Sequence, residues 1–397
     1  MFCTALGFLL LTAITGTLLR TYGFWSVPLP NYGHLLHAHS HAGFLGWVFN
    51  AFFALSFLVW VPVQRQRGFL CLFALLQVGN VGMFVSFLAQ GYGVVSIIFS
   101  TWHLVASVAF ILALWREPTV DAAARPWLRC GLAFLLLSGL GPLALGPLAA
   151  LDLRAHPAYE LSIYWYLHFQ YNGWFIFFLA ACGVAGKIRA NPKCRPHAWA
   201  CPLLASGVVL TYGISALWLE PAAVVHWISL LGNVLQLTGA LLLLRSWLPT
   251  HPWRWLTRPS IPKALIVLAV IAFLVKCLLQ FGAVIPALTP LANNRFIVIA
   301  FLHLVFLLVV LPALIALAWK HGWIVRNRFS QLSLALLVFG ILGLELSLVL
   351  PVLLPTLPGL EYLPHLFLIT ALIKTTGIAG LLLASIQASF PRIPATS

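Results

Sequence analysis

Apolar residues run along this chain in long, nearly unbroken stretches that short polar segments separate. A transmembrane helix needs about 20 consecutive apolar residues, and twelve stretches are long enough. The pattern predicts an all-α integral membrane protein with twelve transmembrane helices, forming a single polytopic domain over residues 1–397. In chain order we predict spans at 1–20, 34–62, 68–90, 93–115, 128–150, 159–186, 199–219, 223–247, 263–286, 295–319, 330–354 and 362–389.

The composition excludes a soluble globular domain. Hydrophobic residues make up 62% of the 397 residues and charged residues 7%, whereas soluble domains carry roughly 25% charged residues. The first stretch lacks a basic segment before its apolar run, so we expect it to remain as a helix and not to be removed as a signal peptide. The seven scattered cysteines include no Cys-x-x-Cys pair and are predicted to be small packing residues.

The formal net charge of +15 indicates membrane orientation and not nucleic-acid binding. Most of the 22 Lys and Arg residues fall around the loops that follow the even-numbered spans, and the opposite side has Arg20, Arg154 and Arg295. The residues after even-numbered spans are Arg65, Arg67, Arg116, Arg125, Arg129, Lys187, Arg189, Lys193, Arg195, Arg245, Arg254, Arg258, Lys263, Lys320, Arg326, Arg328 and Arg392. Because short cytoplasmic loops are enriched in Lys and Arg, both termini are predicted to be cytoplasmic, in a bacterial inner membrane, with membrane lipid as a partner.

The histidines within the spans are confined to the even-numbered spans. Every even-numbered span carries at least one near its predicted outer end, and no odd-numbered span carries any. They are His34, His37, His39 and His41 in span 2, then His103, His168, His226, His303 and His365 in spans 4, 6, 8, 10 and 12. At 1.5 Å per residue, His41, His168 and His303 come roughly 10–14 Å from the outer edge. Because histidine is costly in lipid and ligates haem iron and copper, this order predicts a buried metal or haem centre.

Span 2 presents its histidines on two faces. His34, His37 and His41 are spaced i, i+3, i+7 and share one face. His39 points roughly 200° away from His41 around the helix. One helix can therefore serve two neighbouring centres, or one centre and a supporting residue. The candidate metal ligands are His37, His41, His103 and His168.

Three motifs resemble those of the haem–copper oxidase superfamily, whose catalytic subunit has twelve spans built from three repeats of four helices. The run His39-Ser-His41-Ala-Gly-Phe-Leu-Gly-Trp47 is similar to the His-x-His-Ser-Gly-x-Leu-Gly-Trp run of oxidase haem helices. In span 6, Trp165-Tyr-Leu-His168-Phe-Gln-Tyr-Asn-Gly173 resembles the copper-ligand motif of the sixth oxidase span. In span 10, Ala300-Phe-Leu-His303 resembles the stretch with the paired haem ligands.

This resemblance implies an oxidase subunit I-like bundle that binds haem b, with copper or another metal ion at a second centre. By it, His303 with His39 or His41 would hold a low-spin haem, and His168 would face the second centre. Arg295, eight residues before His303, is a candidate partner of a haem propionate. The implied function is electron transfer from a cytochrome or quinol donor, with reduction or handling of O2 or NO, in company with partner subunits.

The chain departs from the oxidase pattern at the second centre. Span 7 reads Tyr212-Gly-Ile-Ser-Ala-Leu-Trp-Leu-Glu220, without the adjacent His-His pair that completes the copper site. Phe301 stands where the first of the paired haem ligands would be, and Asn172 stands where oxidases carry a tyrosine and nitric oxide reductases a glutamate. Ordinary oxygen reduction is therefore expected to be absent or weak. The histidine-rich second span is also broadly similar to that of the NnrS-type haem- and copper-containing membrane family tied to nitric oxide stress.

Three charged residues lie well inside apolar spans, namely Lys276, Glu345 and Lys374. Each costs about 2.5–3.5 kcal/mol at a helix centre, so they should face the protein interior, as a proton path or as a buried ion pair. Two alternatives to a haem redox protein follow. One is a transporter of metal ions or protons that uses the intramembrane histidines with Lys276 and Glu345. The other is a haem-binding or NO-response protein without turnover.

Overall fold

A computed structural model describes residues 1–22, 31–247 and 260–390. Over these residues the chain is helical, has no β-strand, and contains twelve helices long and apolar enough to cross a membrane. The predicted all-α, twelve-helix membrane fold is therefore confirmed. Helices α1–α12 are, in order, Phe2–Thr21, Tyr32–Trp60, Val63–Gln90, Val94–Trp115, Arg125–Ala150, Pro157–Ala190, Ala200–Leu219, Ala223–Trp247, Ile261–Val284, Arg295–Lys320, Arg328–Leu353 and Leu360–Ser389. Three of the predicted basic residues, Arg254, Arg258 and Arg392, lie outside the described residues.

The helices form two compact units. The first unit contains Met1–Phe110 and the described residues from Leu314 onward, and in it α1 packs against α2 and α12 while α11 packs along α12. The second unit contains Ile111–Ala313, in which α5 packs against α6, α7 along α8, and α9 against α8 and α10. The expectation of one domain over the whole chain stays a prediction.

Helices α2, α6 and α10 share a change of helical geometry that begins directly after a histidine. Each begins as an α-helix whose first turn is capped by a side chain, that of Asn31, His156 or Asn294. Each becomes π-helical directly after its histidine, at Ala42–Phe49 after His41, Phe169–Trp174 after His168 and Leu304–Val310 after His303. Because π-helical segments are rare and frequently occur at functional sites, this shared position indicates that the three histidines are candidate functional residues.

The same three helices are the most enclosed in the described part of the chain. The buried share of the most apolar stretch is 78% in α2 and 56% in both α6 and α10, and it does not exceed 44% in any other helix. A helix that is apolar all round and enclosed packs against protein on most of its faces. Each of the three histidines therefore has protein, and not lipid alone, around it.

Helix pairs α3–α4, α7–α8 and α11–α12 each meet where a glycine faces a buried polar residue. The pairs are Gly79 with His103, Gly207 with Gln236, and Gly340 with Lys374. A methyl group added at Gly79 would lie 3.1 Å from the Cβ atom of His103, and at the other two glycines it would overlap the facing backbone. Small residues permit this close approach of membrane helices. These glycines follow the histidines before the π-helical segments at a nearly constant interval, so this arrangement recurs three times among the described residues.

Candidate functional site

Histidines of α2 line up opposite the end of α3. Gly91 ends α3 with a φ of 61°, and the ring of His34 lies over it, since a methyl group at Gly91 would come 2.6 Å from His34 Cδ2. One turn further along α2, the ring of His37 meets that of Tyr92 edge to face, with centroids 4.4 Å apart. Tyr92 is 54% exposed, so this end of the line opens to the surface of the first unit.

His41 continues the same face of α2 inward. Its ring stacks on Phe87 with centroids 4.3 Å apart, and its Nε2 atom lies 3.4 Å from the Tyr92 hydroxyl. Phe87 also contacts His37, at 6.0 Å between ring centroids. From His34 to His41 the line therefore covers about 10 Å along the helix axis. We call His34, His37, His41 and His103 the histidine line.

His103 of α4 is the buried end of this line. Its side chain is 1% exposed, it lies within electrostatic range of His41, and its ring meets that of Phe49 with 5.2 Å between centroids. The Ser107 hydroxyl donates to the His103 carbonyl oxygen over 2.8 Å, so we assign the contact of 3.2 Å at Nδ1 as an N–H that donates to the Ser107 oxygen. In this tautomer Nε2 carries a lone pair. That buried nitrogen has no hydrogen-bond partner among the described residues.

Amide side chains lie between α2 and α3 near this end of the line. Asn50 and Gln77 exchange two hydrogen bonds of 3.0 and 2.9 Å, which join the two helices. Asn80, directly after the glycine that faces His103, donates weakly to Gln77 at 3.5 Å. Its own carbonyl oxygen is buried without a partner within the part of the chain that the structure describes. The first unit therefore has polar groups from the exposed Tyr92 to the amides of α3.

His39 serves a different purpose from its neighbours on α2. Its Nδ1 atom donates to the carbonyl oxygen of Thr12 over 2.8 Å, and a methyl group at Gly16 would lie 2.8 Å from its ring. Thus His39 faces α1, and the two candidate haem ligands of α2 point to different neighbours, as helical geometry predicts. The hydrogen bond from His39 to Thr12 holds α2 to α1.

His168, in the second unit, is fully hydrogen-bonded. Its Nε2 atom donates to the carbonyl oxygen of Val208 over 2.8 Å, and its Nδ1 atom accepts from the Asn172 amide over 3.1 Å. The side chain is 1% exposed and ties α6 to α7. To coordinate a metal ion, His168 would have to give up one of these two bonds.

Lys276 of α9 is the most buried cation of the second unit among the described residues, at 1% exposed. Its ammonium lies 5.5 Å from the centroid of Phe273, interacts electrostatically with His168, and has no hydrogen-bond partner in the described ranges. Amide oxygens of Asn172, Asn233 and Gln236 are likewise buried without partners there. Such groups are ordinarily satisfied by buried water.

Glu345 and Lys374 interact in the first unit. The carboxylate of Glu345 on α11 interacts electrostatically with Lys374 on α12 and with Arg20 on α1. Lys276, by contrast, belongs to the second unit. The three intramembrane charges predicted from the sequence therefore separate into a Glu345–Lys374 interaction and a lysine in other surroundings.

His303 and Arg295 stand on α10. Arg295 is exposed and begins the helix, and His303 is partly buried at the last residue before the π-helical segment. Both belong to the second unit, whereas His39 and His41 belong to the first. Among the described residues no group of three or more His, Cys, Asp or Glu side chains is arranged to hold a metal ion. Haem and metal ligation by these residues stays a prediction.

Sequence reasoning did not single out Tyr92, Ser107 or Gln77 as parts of the candidate site. Tyr92 and Gln77 become important only through a neighbour on another helix, namely His37 for Tyr92 and Asn50 for Gln77. Ser107 could have been found from the sequence, because it lies four residues after His103 and that spacing places both on one helix face.

The chain matches no protein-family model and no curated protein.

Proposed function

We propose that the protein transfers protons along the histidine line, between the exposed end beside Tyr92 and the buried imidazole of His103. The observation that carries this proposal is the Nε2 atom of His103, a buried lone pair without a partner among the described residues. Leaving such an acceptor unsatisfied costs about 1–3 kcal/mol. An imidazole nitrogen that carries a lone pair can accept a proton and pass it on, so this atom can act as a proton relay.

Protons suit this line better than a metal ion does. Metal ions need several ligands that converge on one point, and no such group occurs in the described ranges. Along the line the imidazoles are interleaved with the rings of Phe87 and Tyr92. A proton needs only successive donors and acceptors, with water bridging the longer gaps. The four imidazoles and the tyrosine hydroxyl provide such a series.

The side of the membrane from which protons enter follows from the distribution of Lys and Arg among the loops. If the loops after the even-numbered helices are cytoplasmic, the start of α2 lies at the outer face of a bacterial inner membrane. The exposed end of the histidine line then faces the outside, and His103 lies deeper in the membrane. Protons would enter from the outer face.

Haem-based electron transfer is a second candidate. It is favoured by the common position of His41, His168 and His303 before π-helical segments, because the oxidase resemblance assigns haem and metal ligands to these helices. The bonds of His168 to Val208 and to Asn172 count against it, because together they occupy both nitrogens of that ring. An optical spectrum of the purified protein tests it directly. A sharp band on reduction supports bound haem, and a featureless visible spectrum removes this candidate.

Proton flux in liposomes tests the first proposal. Protein is reconstituted with a trapped pH-sensitive dye, and a potassium gradient with valinomycin drives protons inward. We expect flux well above that of protein-free liposomes, and a loss of roughly 10²-fold in His103→Leu, the scale of removing a proton-transfer group. His226→Gln is the matched control, because His226 donates to Val284 over 2.9 Å outside the line. Flux equal to that of empty liposomes, or unchanged by His103→Leu, would contradict the proposal.

A further inference from the structure

Two cysteines from different helices touch in the second unit. Cys130 lies in the first turns of α5, and Cys201 is the second residue of α7. The Cys201 thiol donates to the sulfur of Cys130, with 3.7 Å between the two Sγ atoms and a separation of 71 positions along the chain. Among the described residues no other pair of thiols shares a hydrogen bond; Cys3 meets a hydroxyl, Cys194 a backbone carbonyl and Cys277 an amide.

We propose that Cys130 and Cys201 form a reversible disulfide, a redox site separate from the histidine line. In a disulfide the sulfurs are about 2.05 Å apart, with Cα atoms usually within about 7 Å. At their closest residues, helices α5 and α7 approach within 8 Å between Cα atoms. Rotation of the side chains with a small approach of the helices therefore suffices to close the bond.

The different exposure of the two cysteines indicates which one is oxidised first. Cys130 is partly exposed, whereas Cys201 is 7% exposed, so a peroxide reaches Cys130 first. The Cys130 sulfur attacks one peroxide oxygen, the O–O bond breaks, and water leaves, which produces a sulfenic acid. The Cys201 sulfur then displaces the hydroxyl group of that sulfenic acid as a second water, and the S–S bond forms. Two thiols and one hydrogen peroxide thus give one disulfide and two waters, and a dithiol reductant reverses the reaction by exchange.

The bond would fix the surroundings of His168. Next to Cys130, Gly131 packs against α6, because a methyl group there would lie 3.3 Å from the Cβ atom of Phe177. Seven residues after Cys201, and on the same face of α7, the Val208 carbonyl accepts from His168. Oxidation therefore links the two helices that contact α6 near its histidine.

Thiol counting on the purified full-length protein tests the proposal. The protein is treated with hydrogen peroxide, unfolded, alkylated and digested, and its peptides are analysed by mass spectrometry. We expect one cross-linked peptide pair that contains Cys130 and Cys201, the loss of two alkylatable thiols, and the recovery of both after dithiothreitol. Cys182→Ser is the matched control, because this buried α6 cysteine lies outside the pair and its loss should leave the cross-link intact.

The wild-type protein alone decides the result, so a variant that fails to fold does not obscure it. If both cysteines remain alkylatable after peroxide, or if Cys130 is oxidised to sulfinic acid without a cross-link, the proposal is wrong. A cross-link between Cys130 and any other cysteine would also overturn it. Because neither cysteine belongs to the histidine line, these outcomes are independent of the proton-flux measurements.

Discussion

At the scale of the residue, hydrogen bonds divide the histidines into two groups. His39, His168 and His226 each donate to the backbone carbonyl of a neighbouring helix. No backbone carbonyl among the described residues accepts from the rings of His37 or His41, which contact aromatic groups instead. The two faces of α2 could be predicted from helical geometry. The carbonyl partners could not, because they depend on which helices become neighbours.

This division predicts different effects on stability. His168→Ala should lower the free energy of unfolding by about 1–3 kcal/mol, because it leaves the Val208 carbonyl and the Asn172 amide without their partner. His37→Ala should change it by less than about 0.5 kcal/mol, since that ring is only partly buried. Denaturant or thermal unfolding in detergent measures both. Equal losses in the two variants would show that the hydrogen bonds do not distinguish the groups.

At the scale of the element, the twelve helices were predictable but their internal changes were not. Apolar stretches of sufficient length identify membrane helices because lipid requires a backbone that satisfies its own hydrogen bonds. The π-helical segments lie inside uniformly apolar sequence, as in Leu304–Val310, where no alternation of polar residues reveals the helical period. The role of the glycines that face His103, Gln236 and Lys374 could not be predicted, because it depends on which helices pack together.

The pairing of α7 with α8 can be tested at one glycine. Gly207→Ala would bring a methyl group into the backbone of Gln236, and overpacking of this kind typically costs about 1–3 kcal/mol. Gly186→Ala in α6 is the control, because no atom outside the local helix lies within 4 Å of its added methyl group. We expect a lower unfolding midpoint for Gly207→Ala alone. Equal stability of the two variants would contradict the close approach of the helices.

At the scale of the whole molecule, the charge pattern predicts an orientation that the helices alone do not determine. Reporter fusions at Lys193 and Arg326 should have cytoplasmic activity, and a fusion near His156 should have external activity, because Lys and Arg concentrate in cytoplasmic loops. An external signal at Lys193 would reverse the orientation and with it the side from which protons enter. Which of the three buried charges would interact could not be predicted, because that depends on helix packing: Glu345 and Lys374 share the first unit, whereas Lys276 belongs to the second.

A double-mutant cycle of proton flux shows whether His41 and His103 act in one series. His41→Phe keeps an aromatic ring against Phe87 without a titratable group, and His103→Leu removes the buried acceptor. Steps that act as a unit are strongly non-additive when removed together. We therefore predict that each single variant lowers flux to a similar residual level and that the double variant lowers it no further. Losses that multiply in the double variant, or flux that persists in either single variant, would contradict a single histidine line.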